Sequence, residues 1–365
     1  MSPMSYITVM PYGLLFFMMT IFSTVYSLSA IHWLTVWIGL EINLIAFIPL
    51  MLYRGTVMET ESAIKYLIFQ AIGSSLIMLS SLMSFGPDFL WNLSTSSLPI
   101  ILEKSTMILI TGLLLKLGAF PLHFWFPGVA SGISWLSNML LLTWQKIAPL
   151  FLFFILMCFW QKYLFLPITM IAMGSSIIGG IGGVNQTQLR ALLAYSSIAH
   201  MGWIVFCSCL SETSMKLYFI IYSFITLCIF VLLWKTETNL TFQTFSSFLG
   251  KNFIARFNLI FLLMSLSGIP PLLGFIPKWM VLSLSNTPMM VFTTMILVLG
   301  SLFSLFYYLI ITFSSFFLSG PILLKNIYTS LKMSKEMTMF SIFSLLTNLL
   351  GGMFLLMNLY LESFF

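Results

Sequence analysis

Charge is what this sequence lacks: Asp, Glu, Lys and Arg make up only 7% of its 365 residues, and it has three histidines. A soluble domain carries roughly a quarter charged residues, because its surface must stay wetted. The shortage excludes one. With 60% apolar residues and a mean hydropathy of +1.06, the chain is suited to lipid as its main solvent. Lipid forces every backbone N–H and C=O to pair internally, which leaves helices or a closed barrel. The alternating strands of about ten residues that mark a barrel are missing. The apolar runs are instead about twenty residues long, enough for a helix to cross the hydrocarbon core. The fold class is therefore an all-α polytopic membrane protein, with room for about eleven transmembrane helices.

Cysteine is sparse as well. Cys158, Cys207, Cys209 and Cys228 lie in apolar runs with no C-x-x-C spacing and no histidine partner, which reads as core filling. No Cys/His constellation is suited to iron–sulfur, haem or zinc, so any redox chemistry belongs to another polypeptide. The glycine-rich GGIGGVNQ (179–186) lacks the GK[ST] of a phosphate loop and the strand–turn–helix setting of a dinucleotide site, which favours close helix packing. The N-terminal MSPMSYITVMPYG has neither the basic region of a signal peptide nor the Arg/Ser-rich pattern of a transit peptide, so no cleaved leader is expected. The net charge of +6 would suggest nucleic acid in a soluble protein; here it fits the basic bias of membrane loops, and no nucleic-acid partner is implied.

Hydropathy windows predict spans at 10–30, 33–53, 61–84, 103–120, 131–158, 162–183, 189–209, 215–234, 254–285, 289–316 and 337–361, with loops at 85–102, 235–253 and 317–336. Even-numbered loops hold Arg54, Arg190, Lys235, Lys251, Arg256, Lys325, Lys332 and Lys335, whereas odd-numbered loops hold Lys104, Lys162 and Lys216. That bias puts the N-terminus on the negative side of the membrane and the C-terminus on the positive side.

Helix breakers stand beside a lysine in two spans, the fourth, GLLLKLGAFPLHFWFP (112–127), and the ninth, SLSGIPPLLGFIPKWM (265–280). Proline removes a backbone donor and glycine loosens the turn, so both helices should be discontinuous. They hold the same place in two consecutive sets of five. Because five is odd, such sets are inverted repeats, and matching broken helices point to a transporter's ion site. Two unrelated proline kinks are the plainer alternative.

An ionisable side chain at a helix centre costs roughly 2.5–3.5 kcal/mol on insertion scales, and such groups usually face a bundle interior or a wet cavity. Glu41 lies in WIGLEINLIAFIPL (37–50), Lys116 just before the first break, Lys146 in LTWQKIAP (142–149) and Lys278 after the second break. A single buried ion pair would explain Glu41 with one lysine, and snorkelling to an interface would explain a lysine near a span end. A row of lysines with one carboxylate also suits proton relay, since burial disfavours an ammonium charge and a nearby carboxylate favours it. Lys65 lies four residues after Glu61, a spacing that explains it locally and leaves a relay role open. His123, in PLHFWFP, suits capping of backbone at the break. His200, in YSSIAHMGW (195–203), could join Tyr195, Ser196 and Ser197 in a hydrated proton wire or be a satisfied core residue.

Taken together, WIGLEINLIAFIPL, TESAIKYLIFQ, KLGAFPLHFWFP, LTWQKIAP, GGVNQTQLRALLAYSSIAHMGW and SLSGIPPLLGFIPKW resemble the NADH–ubiquinone oxidoreductase chain 2 family of animal mitochondria, antiporter-like subunits of respiratory complex I. They run in the family's order from residue 37 to 280; from about 289 onward only the hydropathy matches. The resemblance implies inverted five-helix repeats at 10–158 and 162–316, each with a broken helix, and a final helix at 337–361. Animal members lack three N-terminal helices of the bacterial version, in keeping with eleven spans. The resemblance places the family's half-channel glutamate at Glu41 and its partner lysine at Lys116. The central lysine falls on Lys146, and the lysine of the second broken helix on Lys278. It implies proton translocation in the mitochondrial inner membrane, N-terminus in the matrix and C-terminus in the intermembrane space. Partners would be lipids and the other membrane-arm and accessory subunits, with FMN, iron–sulfur clusters and ubiquinone held by partner subunits and no cofactor in this chain. One departure is Ala191, where relatives usually carry a second basic residue after Arg190. A free-standing cation/proton antiporter and a structural brace of the membrane arm are the competing functions.

Overall fold

The computed structural model describes residues 13–83, 99–236, 253–317 and 335–362. Most of the three predicted polar loops, with Lys251, Lys325 and Lys332, lies outside those residues. The chain divides into two compact units, residues 1–167 and 168–365. The first unit holds α1 (Gly13–Ser29), α2 (Trp33–Met51), α3 (Val57–Met83), α4 (Pro99–Leu117), α5 (Trp125–Gly132) and α6 (Trp135–Leu142), then a 3₁₀ turn (Trp144–Lys146) and the start of α7 (Ile147–Gly183). The second holds the rest of α7, then α8 (Leu189–Leu210), α9 (Glu212–Thr236), α10 (Phe253–Ser267), α11 (Phe275–Leu284), α12 (Pro288–Phe317) and α13 (Lys335–Glu362).

The first helix shows an arrangement suited to lipid, with small polar side chains inside and large apolar ones outside. On α1 the buried residues are Gly13, Thr20, Ser23, Thr24 and Ser27, while Leu15, Met18, Phe22 and Val25 are exposed. Between helices in hydrocarbon there is little hydrophobic gain, so close backbone approach supplies the packing. A β-carbon on Gly39 of α2 would come within 2.8 Å of Ser27 Cβ, which shows how tightly α1 and α2 meet. The buried hydroxyls of α1 stay satisfied within their own helix; Ser23 and Ser27 donate to the carbonyls of Thr20 and Thr24 at 2.9 and 2.8 Å.

Several expectations change. Among the described residues seven helical stretches are long and apolar enough to cross a membrane, alongside shorter apolar helices at 13–29, 254–267, 275–284 and 338–353. The ninth span is short because it is broken into α10 and α11. The fifth span is also interrupted, by the 3₁₀ turn ending at Lys146, a break with no proline or glycine inside it. Conversely, helical bonding continues from Ile147 to Gly183, where two spans meeting near residue 160 were expected. No glycine stands at that junction, and the prolines of α7, Pro149 in its first turn and Pro167, lie to either side of it. Cys207, Cys209 and Cys228 are buried as expected, but Cys158 is exposed. Arg256, counted above as a loop cation, lies within α10 and is buried; the loop bias does not depend on it.

Candidate functional site

Each unit breaks one helix by the same local device. In the first, α4 ends in a Schellman turn: Gly118 adopts φ +68°, its N–H donates to Leu115 O at 3.2 Å, and the Ala119 N–H donates to Leu114 O at 3.1 Å. In the second, Gly268 adopts φ +83°, with its N–H on Ser265 O and the Ile269 N–H on Met264 O at 3.0 and 3.4 Å. A residue with a β-carbon resists that conformation, which is why glycine stands at both. A cis proline follows three residues later in each case, at Pro121 and Pro271.

Carbonyls at each break also accept from side chains. In the first unit Trp125 Nε1 donates to Leu115 O at 3.1 Å and Gln70 Nε2 to Lys116 O at 3.4 Å. His123 Nδ1 lies 3.3 Å from Pro121 O, so this histidine serves the backbone of the break. In the second unit the Lys278 ammonium donates to Ser267 O at 2.7 Å. The charge sits at the C-terminus of α10, where the helix dipole is negative and favours a cation. Asn348 of α13 completes this break, accepting from Leu273 N at 3.3 Å and donating to Phe261 O at 3.4 Å.

Two buried lysines of the first unit share one space. Lys116, in the last turn of α4, and Lys146, at the end of the 3₁₀ turn, are 8% and 2% exposed. Both line a cavity of about 20 Å³, with Tyr66, Gln70, Asn43 and Gln145 supplying the rest of its polar wall. That is room for about one ordered water among several polar partners. The Asn43 and Gln145 amides pair reciprocally, Nδ2 to Oε1 at 2.6 Å and Nε2 to Oδ1 at 3.2 Å. Lys146 Nζ lies 4.8 Å from the centre of the Phe126 ring, a cation–π contact strengthened where water is excluded. Half-buried Glu41 exerts a Coulombic pull on Lys116. Lys116 and Lys146 thus meet at one cavity, and Glu41 acts on Lys116 from outside its lining.

In the second unit Lys278, 7% exposed, lies 6.0 Å from the Trp203 ring centre. One turn away on α8, buried His200 pairs with the Tyr218 hydroxyl at 3.1 Å and packs on the Tyr222 ring at 5.1 Å. Lys65 stays apart from the cavity. It lies on an exposed face of α3, bonded to Glu61 at 2.6 Å, as its spacing allowed. Asn43, Tyr66, Gln70 and Gln145 escaped the sequence reading, although each lies within five residues of a charge already singled out.

The positive-φ glycines at the two breaks also seat the cations. A β-carbon at Gly268 would lie 2.9 Å from Lys278 Nζ, and one at Gly118 would lie 3.0 Å from the Phe126 ring on which Lys146 rests. Gly268→Ala should cost about 1–2 kcal/mol for the left-handed backbone alone and should push Lys278 off Ser267 O. The expected result is a lower unfolding temperature together with loss of coupled activity, measured on the purified assembly.

A lipid-suited helical protein with paired broken helices and buried lysines at or beside each break is an antiporter-like membrane protein. Residues 30–304 match the sequence model of the family described as NADH:quinone oxidoreductase/Mrp antiporter, TM. NADH-ubiquinone oxidoreductase chain 2 of Anopheles gambiae is 36% identical over 351 residues, 95% of this chain and 97% of that one. Its counterpart in Mustela kathiah is 38% identical over 303 residues, 83% of this chain and 85% of that one. A chain of Thermus thermophilus respiratory complex I has the same fold, with a TM-score of 0.78 at 19% identity over 96% of this chain and 82% of that one. The protein belongs to this family, among the NADH-ubiquinone oxidoreductase chain 2 proteins. The match also runs past residue 289, where the sequence resembled the family in hydropathy alone.

Proposed function

We propose that this chain carries protons across the mitochondrial inner membrane as a membrane-arm subunit of NADH:ubiquinone oxidoreductase, by way of Glu41, Lys116, Lys146 and Lys278, with His200 assisting. The N-terminus faces the matrix and the C-terminus the intermembrane space, as the loop charges indicate. NADH oxidation and quinone reduction belong to other subunits, which hold FMN, iron–sulfur clusters and ubiquinone and drive the transfer. The observation that carries this reading is the shared polar cavity, walled by two buried lysines with a carboxylate acting on one of them. Two ammonium charges facing one low-dielectric space oppose each other, so loading one favours discharge from the other. Water in the cavity would supply the bridge. Complete relatives named as oxidoreductase chains support this role over a free-standing cation/proton antiporter.

The experiment is to replace Lys116 or Lys278 by Met in the assembled complex, keeping volume while removing charge. Protons translocated per NADH oxidised should fall in both variants. An unchanged ratio would reduce the chain to a structural brace.

A further inference from the structure

The second unit contains a group of hydroxyls that the lysine axis does not use. α7 carries Gly179, Gly180, Gly182 and Gly183 near its C-terminal end, and each omits a side chain for a particular neighbour. A β-carbon on Gly179 would lie 2.6 Å from Tyr195 O of α8, and one on Gly180 would lie 2.7 Å from Gly300 O of α12. One on Gly182 would strike the Tyr195 ring, and one on Gly183 would lie 2.6 Å from the Tyr307 ring. The run GGIGG therefore draws α8 against one face of α7 and α12 against another, in keeping with the packing role read from the sequence.

That packing buries Tyr307 and Tyr308 almost completely, with ring centres 4.7 Å apart. Among the described residues neither hydroxyl makes a hydrogen bond of normal geometry, although polar groups stand close to both: Tyr308 and Ser304 beside Tyr307, and Ser196 and Tyr307 beside Tyr308. Tyr222 lies close to Tyr308 and to Ser197, and its ring packs on His200. Ser196 and Ser197 donate to the carbonyls of Leu193 and Ala194 at 2.8 and 2.6 Å, which leaves their oxygens as acceptors. Native interiors rarely leave buried phenols unpaired, and a site with two to four converging polar groups is where water is retained. One end of the group lies at Gly183, next to the exposed polar connection Asn185–Gln188; the other lies at His200.

We propose that Ser196, Ser197, Tyr222, Tyr307 and Tyr308 hold ordered water and form a proton-delivery path from the α7–α8 connection to His200. The inference rests on the lysine axis proposed above, to which it adds a feed. Each hop breaks one O–H bond and forms another, with hydroxyls donating and accepting in turn, so no net charge is left on a tyrosine. The glycines are positioning residues: they set Tyr195 and Tyr307 against α7.

The test is the double variant Tyr307→Phe/Tyr308→Phe in the assembled complex, which deletes two oxygens and keeps both rings. NADH-driven proton translocation should slow about tenfold, the rate equivalent of about 1.4 kcal/mol, and its solvent deuterium isotope effect should rise as transfer becomes limiting. A wild-type rate and isotope effect would overturn the path. Lys278→Met, measured in parallel, separates the two ideas: its failure to impair translocation overturns the axis, whereas its success beside a normal double-Phe variant overturns only the feed. Should the double variant fail to assemble, a high-resolution map of the intact complex decides. Water density between Ser196 and Tyr308 supports the path, and a dry cluster refutes it.

Discussion

Lys146→Met should abolish proton translocation coupled to NADH oxidation and leave the chain folded. Lys146 is 2% exposed, forms one wall of the cavity shared with Lys116, and rests on Phe126. Methionine retains most of the lysine stem, so the packing against Phe126 survives. Removing a buried cation also relieves its desolvation cost, and well-packed apolar replacements of buried charges are often neutral or stabilising. A fold-only role for Lys146 therefore predicts normal or improved stability with normal function. Relay predicts normal stability with function lost, by roughly tenfold or more for each 1.4 kcal/mol added to the barrier. The measurement is the ratio of protons moved to NADH oxidised in sealed vesicles, beside the unfolding temperature of the purified complex. Lys216→Met is a suitable control, because Lys216 is exposed and pairs with Glu212 on the same helix face, an arrangement worth only about 0.3–0.5 kcal/mol. Full coupling in Lys146→Met would remove the central member of the proposed axis.

How much of this was readable beforehand depended on whether a residue type is conspicuous in lipid. Glu41, Lys116, Lys146 and Lys278 stand out because a charge within an apolar span demands a reason, and two of the lysines meet at one cavity in the first unit. The breaks were legible for a similar reason: glycine with proline three residues later, at 118–121 and 268–271, has few other uses inside a span. The interruption at 144–146 was not read, although Pro149, which has no N–H for the carbonyl of Gln145 and whose ring crowds it, stands just after the turn. Spacing was ambiguous for Lys65, whose outward direction only the packing of α3 reveals. The reverse held for Arg256, which looks like a loop cation until α10 is seen to enclose it. Least visible was the amide pair of Asn43 and Gln145, 102 residues apart, because a lone amide is unremarkable and its meaning lies wholly in its partner.

That pair supports the second large prediction. Gln145→Leu removes both amide bonds and leaves the Asn43 side chain, 5% exposed, without the partner that now meets its Nδ2 and Oδ1. A stranded buried amide costs about 1–3 kcal/mol, whereas replacing both partners by apolar groups can be nearly neutral. Gln145→Leu and Asn43→Leu alone should therefore each lower stability, and the double variant should recover most of the loss, a coupling that a double-mutant cycle measures directly. Function should not recover. With both amides gone, the cavity wall between Lys116 and Lys146 loses two of its polar side chains, and a space of about 20 Å³ then has too few partners to hold a water firmly. The expected outcome is a stable, assembled, poorly pumping double variant. If it pumps normally instead, the cavity is a packing defect between two lysines and the proton takes another route.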